Sequence, residues 1–131
     1  MGTTTTKGEV GEAKVLSDLV GQGHGVAIPL GHDQPFDLVV IRSRAGPLER
    51  VQVKYTESDG RSVRCVIRSS SAWVSHAYSA TEVDWIAVYD ATSDQCFYLP
   101  SDVWDGRQDL TLRLVPPANG QRSGIRWAED F

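Results

Sequence analysis

The chain has 131 residues, of which 40% are hydrophobic and 23% charged, and its formal net charge is −4 at pH 7. This length is typical of one domain, and the composition argues against an extended disordered chain. No apolar run approaches the roughly 18 residues that a membrane span needs. With no secretory leader and only two well-separated cysteines, Cys65 and Cys96, we expect a cytoplasmic protein with free thiols and no membrane partner.

A helix is predicted first, over residues 7–22. Glu12, Val15, Leu16 and Leu19 fall on one stripe at spacings of three and four. Because Glu12 shares that stripe with apolar side chains, its carboxylate is expected to face the sheet. A charge in such a place is costly unless a cation or a hydrogen-bond donor meets it.

Short apolar runs predict strands along the rest of the chain. They cover residues 26–30, 36–42, 49–56, 62–68, 84–89, 96–99 and 110–115, with a short helix at 100–104 and a polar loop at 69–79. One helix followed by a run of strands predicts an α/β domain.

Polar side chains interrupt two of these strands. Asp37 opens the second strand, while Gln52 and Lys54 are two residues apart on the third, so both point to one face of the sheet. A carboxylate, an amide and a lysine on one face suit a metal ion and a nucleophile. Taken singly, each has an ordinary explanation: Asp37 as a strand cap, the other two as a solvent face, and Glu12 as an ion-pair partner. Their occurrence together and in this order favours a site.

The pattern resembles the active-site hairpin of the PD-(D/E)XK nucleases, with an acid on one strand and acid-or-Gln, any residue, Lys on the next. A larger part of the chain is similar to the homing endonucleases encoded by group I introns, with archaeal-type Holliday-junction resolvases as near neighbours. This similarity covers residues 7–15, 35–39, 51–54, 79–89 and 119–121. It implies a single nuclease domain over residues 1–131 and a restriction-endonuclease-like αβββαβ core with a central mixed β-sheet.

The resemblance also implies a function, namely a metal-dependent DNA endonuclease that is either Holliday-junction resolvase-like or homing endonuclease-like. Mg²⁺ or Mn²⁺ is expected to be held by Glu12, Asp37, Gln52 and the backbone carbonyl of Val53, with Lys54 as a further catalytic residue. Gln52 replaces the superfamily's common Asp or Glu, which favours one metal ion. Cleavage of both strands of duplex or branched DNA needs two sites, so a homodimer or a dimer of dimers is expected.

Two alternatives stay open at this point. The fold can be retained in a catalytically inactive nucleic-acid-binding or interaction domain, or the site can act on another phosphate ester. The presence of Glu12, Asp37 and Lys54 together disfavours the first. The lack of a nucleotide-binding glycine-rich loop disfavours the second.

A basic run is the predicted DNA-contact surface. Arg64 and Arg68 are four residues apart on the fourth strand, which is expected to form a hairpin with the third and so to lie beside Gln52 and Lys54. Three hydroxyl side chains follow, Ser69, Ser70 and Ser71, and can donate to phosphate oxygens. The alternative for this run is a solvated loop.

Overall fold

The computed structural model describes residues 3–31, 33–70, 75–121 and 123–131. Its helices are α1 (Thr4–Gly21) and α2 (Ser101–Trp104), and a 3₁₀ turn follows at Ala128–Asp130. The strands are β1 (Gly25–Ala27), β2 (Leu38–Ile41), β3 (Leu48–Thr56), β4 (Ser62–Val66), β5 (Arg68–Ser70), β6 (Ser75–Ala77), β7 (Trp85–Asp90), β8 (Gln95–Pro100) and β9 (Asp109–Arg113). Within the described ranges, neither helix combines the length and apolar character needed to cross a bilayer.

The N-terminus of helix α1 is capped by the side chain of Thr3. The side chain of Thr3 accepts a hydrogen bond from the backbone N–H of Thr6, which is the usual role of an N-cap threonine. Val15 and Leu19 are buried on its inner side, as the stripe predicted. The helix is therefore confirmed, with its first turn three residues earlier than expected.

Five strands form the central sheet in the order β1-β2-β3-β7-β8. The neighbours are antiparallel except β3 and β7, which run parallel. Five of the six residues of β7 are buried, as expected for a strand covered on both faces. The predicted α/β class with a mixed central sheet is confirmed.

The two faces of this sheet are covered differently. Helix α1 covers one face, where its buried side chains pack with Val40, Val51 and Val53. On the other face, β4 and β9 pair with each other as a separate two-stranded ribbon. The ribbon and α2 bury a second core against the sheet, which includes Val63, Cys65, Ile86, Val88, Leu99, Trp104, Leu110 and Leu112.

The predicted hairpin between the third and fourth strands is wrong. Strand β4 ends at Val66 and pairs with β9, with Val63 opposite Leu112. The polar loop expected at residues 69–79 instead contributes β5 and β6, which pair antiparallel. Alternating apolar residues identified the buried side of β4 correctly, but that alternation does not specify which strand lies beside it.

Candidate active site

Strand β3 extends beyond its neighbour β2, and this overhang creates the site. Leu38, the first residue of β2, lies opposite Val51, so the pairing of β2 with β3 stops there and β3 continues to Thr56 without it. The N–H of Val53 lies beyond this point and donates to Oδ2 of Asp37 at 2.9 Å. The N–H of Asp37 in turn donates to the carbonyl of Val51 at 2.8 Å. Two backbone contacts thus fix the Asp37 carboxylate in the gap.

Glu12 reaches the same gap from α1. Its side chain is half-buried, and burial raises its pKa to about 7, with further contributions from the negative charge of Asp37 and a hydrogen bond with it. Two carboxylates that meet in this way repel each other when both are ionised. The pair therefore favours a proton or a cation between its members.

Lys54 and Gln52 point to the face of the sheet away from α1, where they lie beside Val88 and Ile86 of β7. The Nζ of Lys54 donates to the backbone carbonyl of Arg68 at 2.9 Å and lies 4.8 Å from the centre of the Tyr78 ring. Burial lowers the pKa of Lys54, and the nearby charge of Asp37 partly offsets this effect. Lys54 is consequently a partly desolvated group that is held in position near Asp37.

The side-chain amide of Gln52 contacts the backbone of its own strand, β3. Its Nε2 donates to the carbonyl of Val53 at 3.3 Å, which leaves its oxygen as a possible ligand. Across the described part of the chain, no group of three or more His, Cys, Asp or Glu side chains is placed to hold a metal ion. A metal ion in this gap would therefore need amide, carbonyl or water oxygens in addition to the two carboxylates.

A cleft opens from the carboxylate pair towards solvent. It has a volume of about 250 Å³ and is lined by Glu12, Asp37, Gln34, Phe36 and the segment that links β1 to β2. Glu12 and Asp37 thus meet at this cleft, and Lys54 lies near enough to Asp37 for the two charges to interact, whereas, among the described residues, the one hydrogen bond of the Gln52 side chain goes to the Val53 carbonyl and not to a carboxylate. This arrangement can hold a cation and present an ammonium group to a bound anion.

Comparison with known proteins identifies the family. The model of the PD-(D/E)XK endonuclease family matches residues 2–131. The chain belongs to this endonuclease family. Among solved structures it is similar to a bacterial homing endonuclease, I-Ssp6803I, with a TM-score of 0.69 and 26% sequence identity over 93% of this chain and 84% of that one. No curated protein matches the chain. The resemblance and the restriction-endonuclease-like fold are confirmed.

In this PD-(D/E)XK protein the two predicted DNA-contact arginines have partners away from the site. Nη2 of Arg64 lies 2.7 Å from Oδ2 of Asp109 on β9, and Nη1 of Arg68 lies 3.1 Å from Oε1 of Gln108. The expectation that a hairpin brings both beside Gln52 and Lys54 is wrong, because β4 belongs to the ribbon. Arg68 does meet the site, but through its main chain. The backbone of Ser69 and Ser70 lies in β5, and Ser71 falls outside the described residues.

Two features of the endonuclease site were missed in the sequence. The Tyr78 ring and the Arg68 carbonyl orient Lys54 from 24 and 14 positions further along the chain. No local pattern signals such contacts, because a backbone carbonyl has no sequence identity and an aromatic residue in a polar stretch has many possible roles. The one available clue was that a lysine on an otherwise apolar strand needs partners.

Proposed function

We propose that this family member is a divalent-metal-dependent DNA endonuclease that hydrolyses phosphodiester bonds. The observation that carries the proposal is that Glu12 and Lys54 each lie close to Asp37, whose carboxylate the Val53 N–H holds at the edge of β3. Membership of the endonuclease family and the similarity to a bacterial homing endonuclease support it.

The residues in the gap fit Mg²⁺ or Mn²⁺. These hard cations prefer oxygen ligands, and the gap offers the carboxylates of Glu12 and Asp37. We propose that the amide oxygen of Gln52 completes this set. The N–H and C=O of one residue in a strand point to the same edge, so the Val53 carbonyl is directed at the gap as its N–H is. Burial and the negative charge of Asp37 raise the pKa of Glu12, and a bound cation would offset both effects. We propose one ion per site, which when bound supplies an activated water and stabilises the departing oxyanion.

The remaining chemistry falls to the protein. The Val53 N–H holds Asp37 in place, so this carboxylate would need no rearrangement to bind the metal ion. Lys54 stabilises the negative charge that develops on the phosphate, or accepts a proton from the attacking water, because its pKa is lowered. The Arg68 carbonyl and the Tyr78 ring set the position of the ammonium group.

The substrate we propose is duplex or branched DNA, cut in a homing endonuclease-like or Holliday-junction resolvase-like manner. Residues 1–131 act as one nuclease domain with one site, so cutting both strands calls for a homodimer or a dimer of dimers. The basic run at Arg64 and Arg68, continued by Ser69, Ser70 and Ser71, remains our proposed phosphate contact. We place the enzyme in the cytoplasm.

A cleavage panel tests this function. The protein is incubated with four-way junction, flap, duplex and single-stranded DNA in Mg²⁺, Mn²⁺ or EDTA. We expect cleavage of at least one substrate with a metal ion, none in EDTA, and none with Asp37→Ala or Asp37→Asn. Asp102→Asn, at an exposed acid outside the site, serves as the matched control and should cut like the parent. Undiminished cleavage by both Asp37 variants would show that the assigned site is wrong. DNA binding without any cleavage would favour the inactive binding domain.

A further inference from the structure

An apolar tip stands at the mouth of the carboxylate cleft. It consists of residues 28–31, Ile-Pro-Leu-Gly, which link β1 to β2. Leu30 has a relative exposure of 103% and Ile28 of 66%, and Leu30 is the most exposed large apolar side chain in the described part of the chain. The same four residues line the cleft that contains Glu12 and Asp37.

The tip is held out by its local sequence. Pro29 fixes its own φ and biases Ile28 towards an extended backbone. Gly31 has a φ of +85°, a conformation that glycine adopts without strain, and it turns the chain back towards β2. A single exposed apolar side chain is ordinary in proteins. Here Ile28 and Leu30 are both exposed, and they lie two positions apart at the rim of a charged cleft. Neither belongs to the core, so we expect them to contact a binding partner.

The position of the tip identifies that partner. Any molecule seated on Leu30 also covers the cleft, and under the function proposed above a phosphate must enter that cleft. A second protein chain on the tip would block it. DNA offers both an apolar surface for the tip and a phosphate for the cleft. Its phosphates carry negative charge, and the apolar faces of its base pairs lie close to those phosphates. Leu and Ile are among the side chains that proteins insert between base pairs.

We propose that the apolar tip is a wedge that inserts Leu30 between base pairs next to the scissile phosphate, unstacking them and bending the duplex. This inference rests on the proposed endonuclease function. The wedge would make the enzyme prefer DNA that unstacks easily, such as pyrimidine–purine steps or the centre of a branched structure. Recognition at this point then depends on deformability, with no hydrogen bond to a base edge.

Permanganate footprinting tests the wedge, since it oxidises unstacked thymines wherever they occur. Thymine-rich duplex and junction DNA are bound by protein carrying Lys54→Ala, with Mg²⁺, so that cleavage is slow during the footprint. We expect hyper-reactive thymines next to the cleavage position mapped with the wild-type protein. Adding Leu30→Ala should remove them and weaken binding about tenfold, because the shortened side chain buries less apolar surface against the bases. The salt dependence of binding should not change, because no phosphate contact is removed.

Matched variants complete the design. Leu48→Ala removes another exposed leucine, 62% exposed at the far end of the β2–β3 pair, and should leave the footprint intact. Leu30→Met keeps an apolar side chain of similar volume and should retain it. Because Leu30 makes no core contact, Leu30→Ala should melt like the parent.

The outcomes separate the wedge from the nuclease assignment. Metal-dependent cleavage by the wild-type protein without any hyper-reactive thymine overturns the wedge and leaves the nuclease function standing. A Leu30-dependent footprint without cleavage overturns the nuclease function and the placement of the wedge next to a scissile phosphate, while insertion of Leu30 between base pairs stands. A change of oligomeric state on sedimentation of Leu30→Ala overturns the wedge in favour of a contact between two copies of the chain.

Discussion

The carboxylate pair of Glu12 and Asp37 predicts how the stability of the protein depends on pH, which can be measured without DNA. Replacing Glu12 with Gln removes one charge from the gap while keeping the size of the side chain. The folded pKa of Glu12 is raised from 4.5 to about 7. A carboxyl with a raised folded pKa stabilises the protein below its unfolded pKa, and this contribution is lost as pH rises through the folded pKa. We therefore expect the metal-free parent to lose stability between pH 4.5 and 7, with little further loss above.

The magnitude follows from the two pKa values. One pKa unit corresponds to about 1.4 kcal/mol, so the gap between 4.5 and about 7 sets an upper limit of about 3.4 kcal/mol. Glu12 is only half-buried, and solvent screening reduces this figure to about 1–2 kcal/mol.

Urea denaturation in EDTA at pH 5 and pH 8 measures the difference. Between these two pH values the parent should lose about 1–2 kcal/mol more than Glu12→Gln. Mn²⁺ at a hundred times its Kd should then stabilise the parent by about 2.7 kcal/mol at pH 8, and the variant by less at the same concentration. Equal losses in the two proteins would refute the raised pKa of Glu12, and with it the combination of burial and nearby negative charge assigned to this carboxyl.

Three further predictions concern other parts of the molecule. Lys54→Ala should lower turnover at least about a hundredfold but keep Mn²⁺ affinity by calorimetry, because an ammonium is not a ligand; a loss of metal affinity would assign it a structural role. Replacing Arg64 and Arg68 together with Ala should weaken DNA binding and lower the salt slope by up to about two ions, and an unchanged slope would move the phosphate contacts elsewhere. Asp84→Ala removes the carboxylate that binds the backbone and guanidinium of Arg50, so the urea midpoint should fall by an amount equivalent to about 1–3 kcal/mol, and an unchanged midpoint would refute the structural role of the pair.

The residues of the site could be predicted from the sequence because local geometry places them. Helical spacing puts Glu12 on the buried stripe with Val15, and strand alternation puts Gln52 and Lys54 on one face. These rules operate within one element, and each was sufficient to name a residue and its side.

What could not be predicted depends on contacts between distant segments. Strand β2 is shorter than β3, so its pairing stops at Val51 and leaves the backbone of Val53 available to Asp37. This difference in length appears only when the two strands are aligned, and neither sequence shows it alone. The pairing of β4 with β9 brings Arg64 next to Asp109, 45 positions away. Hydrophobic alternation selects the buried face of β4 but leaves its neighbour undetermined.

The parallel pairing of β3 and β7 has a consequence for how the enzyme is assembled. Residues 1–56 already contain Glu12, Asp37, Gln52 and Lys54, yet β3 in such a fragment would expose its second edge, since β7 pairs with it along Val51–Thr56. Unpaired edges favour aggregation, and distant parallel pairings form slowly. During synthesis we expect nuclease competence to be acquired late and in one step, when residues 85–90 dock. Cut between β3 and β7, the protein should yield two fragments that are inactive alone and active when recombined.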